Sequence, residues 1–78
     1  MTTPYNIKIS PRAEVQIRAL SPKFQKPIVK FIEALAINPR PPGAEKIEGM
    51  TGLYREQIHH LRVIYKVEEQ EILLLLVK

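Results

Sequence analysis

The fold of this chain is decided by residues 53–67, whose sequence is LYREQIHHLRVIYKV. Apolar and polar residues alternate on both sides of His59-His60, which is typical of two half-buried strands. If the two histidines are the central residues of a tight turn, Ile58 faces Leu61, and every residue further out pairs in the same register. The stretch therefore predicts an antiparallel hairpin.

The register sorts the side chains of this hairpin onto two faces. The face predicted to pack against the helices carries Tyr54, Glu56, Ile58, Leu61, Val63 and Tyr65. The other face carries Arg55, Gln57, Arg62, Ile64 and Lys66. Cross-strand neighbours lie about 5 Å apart, so Arg55, Gln57 and Arg62 converge on one spot. Two guanidinium groups there suit a bound phosphate, although arginines that only shield an exposed sheet have the same spacing.

A further strand is predicted at residues 71–77, where six consecutive apolar residues follow one glutamate. Such a strand is apolar on both faces and belongs in the middle of a sheet. Two short helices cover only one face, so Leu73, Leu75 and Val77 on the second face need another cover. We expect a bound protein partner there. The alternative is that the segment 38–52 folds over this patch.

The first half of the chain predicts one strand and two helices. Residues 5–10 alternate with a period of two, which indicates a strand. Serine-proline pairs at 10–11 and 21–22 are start signals for helices. We predict the first helix over residues 11–20 and the second from residue 22 to Asn38 at the latest.

Prolines limit the second helix and the segment after it. Pro27 lies inside the predicted helix and removes a backbone donor, so we expect an irregular first turn rather than a start near Pro27. Residues 38–44 contain three prolines and one glycine, which predicts a stiff connector. The order strand, helix, helix, strand, strand, strand predicts an α+β fold, a small antiparallel sheet with two helices on one face. The place of the first strand in the sheet stays open.

Length and composition exclude several classes of protein. The chain has 78 residues, so we expect a single domain over residues 1–78. It contains no cysteine, no aspartate and two histidines, which argues against disulfides, a structural zinc site or a carboxylate-rich calcium loop. The apolar run at 72–77 is far shorter than the roughly 20 residues that span a bilayer, and Met1–Pro4 is not a signal peptide. We expect a cytoplasmic protein without a metal or cofactor.

The positive charge of the chain is concentrated in its first part. The net charge is +4, and eight of the twelve Lys and Arg residues, but only three of the eight Glu residues, lie within residues 1–46. Clustered cations steer association with polyanions, which favours nucleic acid or an acidic protein as the partner. The alternative is a solvated, lysine-rich helix face.

Cleavage of RNA by attack of its own 2′-hydroxyl is a reaction that these residues support. It needs a proton acceptor, a proton donor and cations for the phosphate. Arg55 and Arg62 are the candidate cations, and His59 or His60 is the candidate for proton transfer, because an imidazole side chain can exchange a proton near neutral pH. The alternative for the two histidines is that they are ordinary solvated residues of a loop tip. No serine or cysteine nucleophile with a base and no phosphate-binding loop is evident in the sequence.

Several blocks of the sequence point to a known family. The most specific are residues 53–55 (LYR) and 62–65 (RVIY), and weaker ones are residues 5–10, 38–41 and 43–49. With these blocks the chain resembles the RelE/ParE toxin superfamily of bacterial toxin–antitoxin systems over nearly its whole length. The resemblance implies a small sheet carrying two helices, and a cognate antitoxin that wraps the toxin. RelE-like members cut mRNA in the ribosomal A site, whereas ParE-like members inhibit DNA gyrase.

The resemblance also implies roles for individual residues. Arg55 matches a basic position of the family, and Arg62 matches the arginine that contacts the scissile phosphate in RelE-like enzymes. Gln57 stands where these enzymes often have another basic residue. The family usually continues past its last strand with an arginine and a terminal tyrosine or histidine, whereas this chain stops at Lys78.

We therefore expect a RelE-like toxin, a ribosome-dependent mRNA endonuclease that a cognate antitoxin neutralises. The expected catalytic residues are Arg55, Arg62 and His60. The expected RNA-binding residues are Lys46, Arg55, Gln57, Arg62 and Lys66, with Lys46 in reach only if residues 45–48 run beside the sheet. The expected antitoxin-binding residues are Leu73, Leu75 and Val77. The alternatives are a ParE-like gyrase inhibitor and an antitoxin-binding module with impaired catalysis.

Overall fold

The computed structural model describes residues 4–78, which form two helices and five strands. The helices are α1 (Pro11–Arg18) and α2 (Pro22–Ile37). The strands are β1 (Asn6–Ile9), β2 (Glu45–Lys46), β3 (Leu53–Ile58), β4 (Leu61–Val67) and β5 (Glu71–Val77). The first three residues, on which the expectation of no signal peptide depends, lie outside the described residues. No helix within residues 4–78 is long and apolar enough to cross a membrane.

Both helices begin at the predicted serine-proline pairs. Ser10 caps α1, because its Oγ accepts a hydrogen bond from the amide of Ala13 at 3.1 Å. Ser21 has the same extended backbone before α2, but its side chain makes no capping bond. The second helix ends before Asn38, where the first proline of the connector prevents the chain from continuing as a helix.

The second helix is continuous through Pro27, so the predicted irregular first turn is wrong. The amides of Phe24 and Gln25 both donate to the carbonyl of Ser21, which makes this turn regular. The hydrogen bond that Pro27 cannot donate would end on Lys23 in the first turn. Lys23 is exposed, so water can take the place of the missing donor.

The sheet has the strand order β1-β5-β4-β3-β2. The last three strands form the predicted antiparallel meander. The first strand pairs in parallel with β5, so the sheet is mixed rather than wholly antiparallel. The two-residue strand β2 extends the opposite edge beyond the predicted strands. The predicted α+β fold with two helices packed against the sheet is confirmed.

The core lies between the helices and the inner face of the sheet, the face turned toward them. Its buried residues are Ala13, Ile28, Phe31, Leu35, Leu61, Val63, Tyr65, Ile72, Leu74 and Val77. The hydroxyl of Tyr65 donates to the carbonyl of Pro39 at 3.1 Å, and burial raises the pKa of Tyr65 to about 12, which keeps this donor protonated. Arg40 donates from Nε to the hydroxyl of Tyr54 at 2.9 Å. These bonds hold the connector on the inner side of the sheet.

A bulge in β5 changes which of its residues point outward. The pairing of β4 with β5 shifts between Ile64 and Tyr65, which leaves Leu75 without a partner. One extra residue reverses the alternation beyond it. Leu76 therefore joins the outer face of the sheet, and Val77 turns inward and is only 3% exposed. The prediction that Val77 lies on the outer face is wrong for this reason.

The first helix covers the part of β5 that β1 leaves unpaired. The first strand ends at Ile9, and the chain then enters α1. Ser10 donates from Oγ to the carbonyl of Leu75 at 3.0 Å, and Gln16 Oε1 accepts from the amide of Val77 at 2.7 Å. Side chains of α1 thus satisfy backbone groups of β5 that a neighbouring strand would otherwise bind.

Candidate functional site

The predicted register brings three polar residues together on the outer face. The hairpin closes through His59 and His60, and the positive φ of 58° at His59 suits a two-residue turn. Gln57 lies directly opposite Arg62, and Arg55 lies two residues from Gln57 on the same face. All three side chains are exposed. The structure therefore assembles the predicted cluster.

Lys78 is a further cation of this face, which the sequence patterns did not predict. Its amide and carbonyl exchange hydrogen bonds with those of Arg62, at 2.8 and 2.7 Å. Directly opposed residues of this kind have Cα atoms about 5.5 Å apart. Without the bulge at Leu75, the continued register would place Val77 opposite Arg62. The bulge replaces that apolar neighbour with a lysine and completes a row of Gln57, Arg62 and Lys78 across three strands.

Arg55 forms an ion pair at the edge of the sheet. Its Nε and Nη2 atoms both lie 3.2 Å from Oε2 of Glu45. The two side chains are 58% and 69% exposed, and exposed pairs contribute about 1 kcal/mol at most. The ion pair is therefore weak enough for a phosphate group to compete with Glu45 for Arg55.

A pocket of about 320 Å³ opens beside this cluster. Its lining residues are Gly43, Glu45, Arg55, Glu56, Gln57 and Arg62. The short strand β2 pairs only with Tyr54 and Arg55, so the edge of β3 beyond Arg55 forms one wall of the pocket. Gly43 lies against the carboxyl group of Glu56, and a side chain at this glycine would collide with that group.

Glu56 is a half-buried acid in the wall of the pocket. Its partial burial raises the pKa of its carboxyl group. Within residues 4–78, the Glu56 side chain forms no ion pair. Glu45, the other acid of the pocket, is already bound to Arg55. Glu56 is thus the pocket carboxyl group with free acceptor capacity.

Two predicted site residues lie on the inner side of the sheet, away from the pocket. The ring of His60 packs edge-on against Phe24 of α2, with ring centroids 4.7 Å apart. Lys46 pairs with Tyr54, whose ring stacks on the core residue Tyr65. Cross-strand partners share a face, so Lys46 points away from the arginines even though its segment runs beside the sheet. His60 and Lys46 therefore lie outside the pocket and its cluster of polar residues.

Lys66 lies on the outer face but far from the pocket. It pairs with Leu53 on one side and Leu73 on the other, four residues along the strand from Arg62, which corresponds to about 13 Å. Its Nζ lies 3.8 Å from Glu68. The position fits a contact with a longer ligand rather than with a group held by Arg62.

An apolar stripe separates Lys66 from the basic row, which is the row of Gln57, Arg62 and Lys78. The stripe consists of Ile64, Leu73, Leu75 and Leu76. Ile64 pairs with Leu76, and Leu73 follows on the same face of β5. These residues and Leu75 are half-buried. The segment 38–52 is the alternative to a protein partner as the cover of this stripe. Its first part, the connector, is bonded on the inner side of the sheet instead. The connector therefore does not cover the stripe, whose residues are half-buried on the outer face of the part of the chain that the structure describes.

Comparison with known protein families then identifies the chain. A family model described as the ParE toxin of type II toxin-antitoxin system, parDE, matches residues 7–78. The chain belongs to this family. The predicted resemblance to the RelE/ParE superfamily is confirmed, and the protein is a toxin of a type II toxin–antitoxin system. No curated protein sequence matches this toxin.

Solved structures of RelE-like toxins share the fold of this toxin. The archaeal RelE–RelB complex from Pyrococcus horikoshii OT3 has a TM-score of 0.86 and 27% identity, over 99% of this chain and 94% of that chain. The YoeB dimer from Staphylococcus aureus has a TM-score of 0.80 and 26% identity, over 96% and 95%. The intact RelBE complex of E. coli, at 21% identity, has a TM-score of 0.80 over 94% and 93%, which shows the fold alone.

Proposed function

We propose that this toxin is a RelE-like endonuclease that cuts mRNA in the ribosomal A site, in the cytoplasm. The observation that carries the proposal is the directly opposed pair of Arg62 and Lys78 on an exposed sheet face, with Arg55 on the neighbouring strand. Like charges placed this close repel one another, so the cluster gains stability when it binds an anion. The phosphodiester of RNA is an anion of suitable size and charge.

Arg62 is the residue that we expect to bind the scissile phosphate. Its side chain forms no ion pair with any residue that the structure describes. A guanidinium group can donate to two phosphate oxygens at once, and Lys78 adds a second positive charge from the opposite strand. Arg55 contributes when it exchanges Glu45 for the phosphate. The combined charge stabilises the pentacoordinate transition state, which is more negative than the substrate.

Proton transfer in this proposal uses a carboxylate rather than an imidazole. His60 packs on Phe24 and does not line the pocket, whereas Glu45 is one of its lining residues. Glu45 accepts the proton of the attacking 2′-hydroxyl. The new O2′–P bond forms as the P–O5′ bond breaks, and the leaving oxygen takes a proton from water. The products are a 2′,3′-cyclic phosphate and a 5′-hydroxyl end.

The apolar stripe is the surface on which we expect a cognate antitoxin to bind. Leu73 and Leu75 keep the role expected from the sequence, and Leu76 takes the place of the buried Val77. Basic residues border the stripe, which favours an acidic, amphipathic segment. The solved RelE proteins of P. horikoshii and E. coli are bound to RelB, which supports such a partner.

The proposal is tested by inducing the toxin in growing bacteria as wild type, Arg62→Ala and Arg18→Ala. Arg18 is the matched control, because it is an exposed arginine of α1 paired with Glu14. We expect wild type and Arg18→Ala to stop translation and to produce new mRNA 5′ ends in register with codons. Arg62→Ala should lose about 10²-fold or more in cleavage, the usual cost of removing one charge-stabilising group. Equal cleavage by all three proteins would contradict the assignment.

Two other functions predict different outcomes of the same induction. The matching family model is that of the ParE toxin, so inhibition of DNA gyrase is the second candidate function. DNA damage signalling with intact translation would indicate gyrase inhibition. An antitoxin-binding module without catalysis would bind its partner tightly and leave growth unchanged.

A further inference from the structure

The turn between β4 and β5, residues 68–71, is acidic. The amide of Glu68 donates to the carbonyl of Glu71 at 2.8 Å, which closes the turn. With Glu69, this acidic turn carries three glutamates within four residues. Tight turns favour glycine and asparagine, and like charges so close together repel one another. The charge of the acidic turn therefore has no cause in the geometry of the turn itself.

Only part of this negative charge is neutralised by the residues that the structure describes. Glu71 forms an ion pair with Lys8 at 3.0 Å, and Glu68 lies 3.8 Å from Lys66. Glu69 is exposed and forms no ion pair within residues 4–78. All three glutamates line a groove of about 550 Å³. An RNA phosphate in this groove would meet carboxylates, so this end of the sheet repels RNA.

The opposite end of the sheet, which carries the turn between β3 and β4, is positive. Arg62 and Lys78 lie opposite one another there. Lys23 joins this hairpin end from α2, because its Nζ lies 5.9 Å from the ring centroid of Phe24, on which His60 packs. None of the three cations forms an ion pair with another residue of the described part of the chain. The hairpin end is therefore positive on the outer face and on the helix side.

The two ends are far enough apart to act separately. Glu68 follows Arg62 by six residues along β4, which corresponds to about 20 Å. The Debye length at physiological ionic strength is about 8 Å, so a phosphate at one end is largely screened from the charges of the other. A polyanion is thus attracted to one end of the toxin and repelled by the other.

We propose that this separation of charge orients the toxin on RNA, with the hairpin end against the phosphates and the acidic turn directed away from them. The acidic turn binds no ligand in this role. It acts by making the reversed orientation unfavourable, because like charges would then face one another. The orientation deepens the proposed function, on which the choice of RNA as the polyanion rests. The exposed, polar tip at His59 and His60 also favours RNA over a protein segment, which would need apolar contacts.

Crosslinking from single cysteines tests the orientation without the ribosome. The chain has no cysteine, so Ser21→Cys labels the hairpin end and Gln70→Cys labels the acidic turn, both at exposed positions. Each variant carries a photoactivated benzophenone and is mixed with a 2′-O-methyl RNA hairpin, which has no 2′-hydroxyl to attack. We expect at least about 10-fold more crosslinking from Ser21→Cys, since steering by charge changes association rates about 10- to 10³-fold. High salt should reduce this ratio.

Neutralising the acidic turn tests the cause of the orientation. Glu68→Gln with Glu69→Gln, made together in the Gln70→Cys protein, should raise crosslinking from the acidic turn by roughly 10-fold, because the repulsion is removed. The matched control is Glu14→Gln with Glu33→Gln, which removes the same charge from exposed positions of α1 and α2. The control should leave crosslinking from Gln70→Cys low. Thermal melts verify that every variant is folded.

The outcomes separate this inference from the proposed function. Equal crosslinking from the two ends, no change on neutralising the acidic turn, or an equal rise in the control would each overturn the orientation by charge. Crosslinks to a polyglutamate peptide but not to RNA would overturn the choice of RNA. A toxin that crosslinks only from its hairpin end but never cuts mRNA would contradict the cleavage proposal and support the orientation. Codon-registered cleavage by a toxin that crosslinks equally from both ends would contradict the orientation alone.

Discussion

The sheet of this toxin ends in two different ways. Beside β5, the pairing strand β1 stops early, and α1 continues in its place, with Ser10 and Gln16 bonded to the backbone of β5. Beside β3, the pairing strand β2 also stops early, at the residue opposite Arg55. No strand continues it within residues 4–78, and a pocket lined by Gln57 opens there. The edge beside β5 is therefore closed, and the edge beside β3 is open.

The difference separates the part of the molecule that stabilises the fold from the part that is free to bind. Backbone groups at the closed edge form hydrogen bonds that hold helix and sheet together, so they are not available as donors or acceptors for a ligand. Unpaired groups at the open edge remain available, and Arg55 and Arg62 beside them discourage another strand from adding to the sheet. Changes at the closed edge should therefore lower stability, and changes at the open edge should alter binding.

The largest effect on stability is expected at the end of β5. Val77→Ala removes methyl groups from a core position that is 3% exposed, which should lower the free energy of unfolding by about 2 kcal/mol. Leu76→Ala, on the half-buried outer position next to it, should cost less than half as much. Denaturant unfolding measures both variants. The reverse order would mean that β5 lacks the bulge and that Val77 does not pack inward.

A smaller effect is expected from the cap of α1. Ser10→Ala removes the bonds to Ala13 and Leu75 and should lower the free energy of unfolding by about 1–2 kcal/mol. The matched control is Ser21→Ala, because Ser21 precedes α2 without a capping bond, and it should cost only a few tenths of a kcal/mol. Thermal melts compare the two. Equal losses would show that Ser10 does not tie the helix to β5.

The smallest effect is expected at the open edge and depends on pH. Burial raises the pKa of Glu56 in the folded toxin, so the folded state holds the proton more tightly than the unfolded chain. The contribution of protonated Glu56 to the free energy of unfolding is complete at pH values below the pKa of this residue in the unfolded chain. It is lost as the pH rises through the raised pKa of the folded state. Glu56→Gln should therefore melt slightly higher than wild type at pH 7. At about pH 3.5, below the ordinary glutamate pKa of about 4.3, the two should melt together.

The control for this pH dependence is Glu69→Gln, because Glu69 is exposed and should melt like wild type at both pH values. A lower melting temperature for Glu56→Gln at pH 7 would mean that the carboxylate is stabilised in the fold and is not free for a ligand.

Local patterns were enough to predict much of the site. The alternation in residues 53–67 and a two-residue turn set the pairing of Gln57 with Arg62, since both follow from neighbours along the chain. The same reasoning failed for His60, whose ring is held by Phe24 from a distant helix. It also failed for Lys46, because the register of a two-residue strand has no pattern of its own to read.

Local sequence patterns specify the two helices, the hairpin and the shared face of Arg55, Gln57 and Arg62, because periodicity and turn chemistry act over a few residues. The bulge in β5 depends on tertiary packing, since a run of six apolar residues fits either face and shows no register. Packing against the core and the bonds from α1 place Val77 inside. That choice brings Lys78 opposite Arg62 and completes the basic row on the outer face.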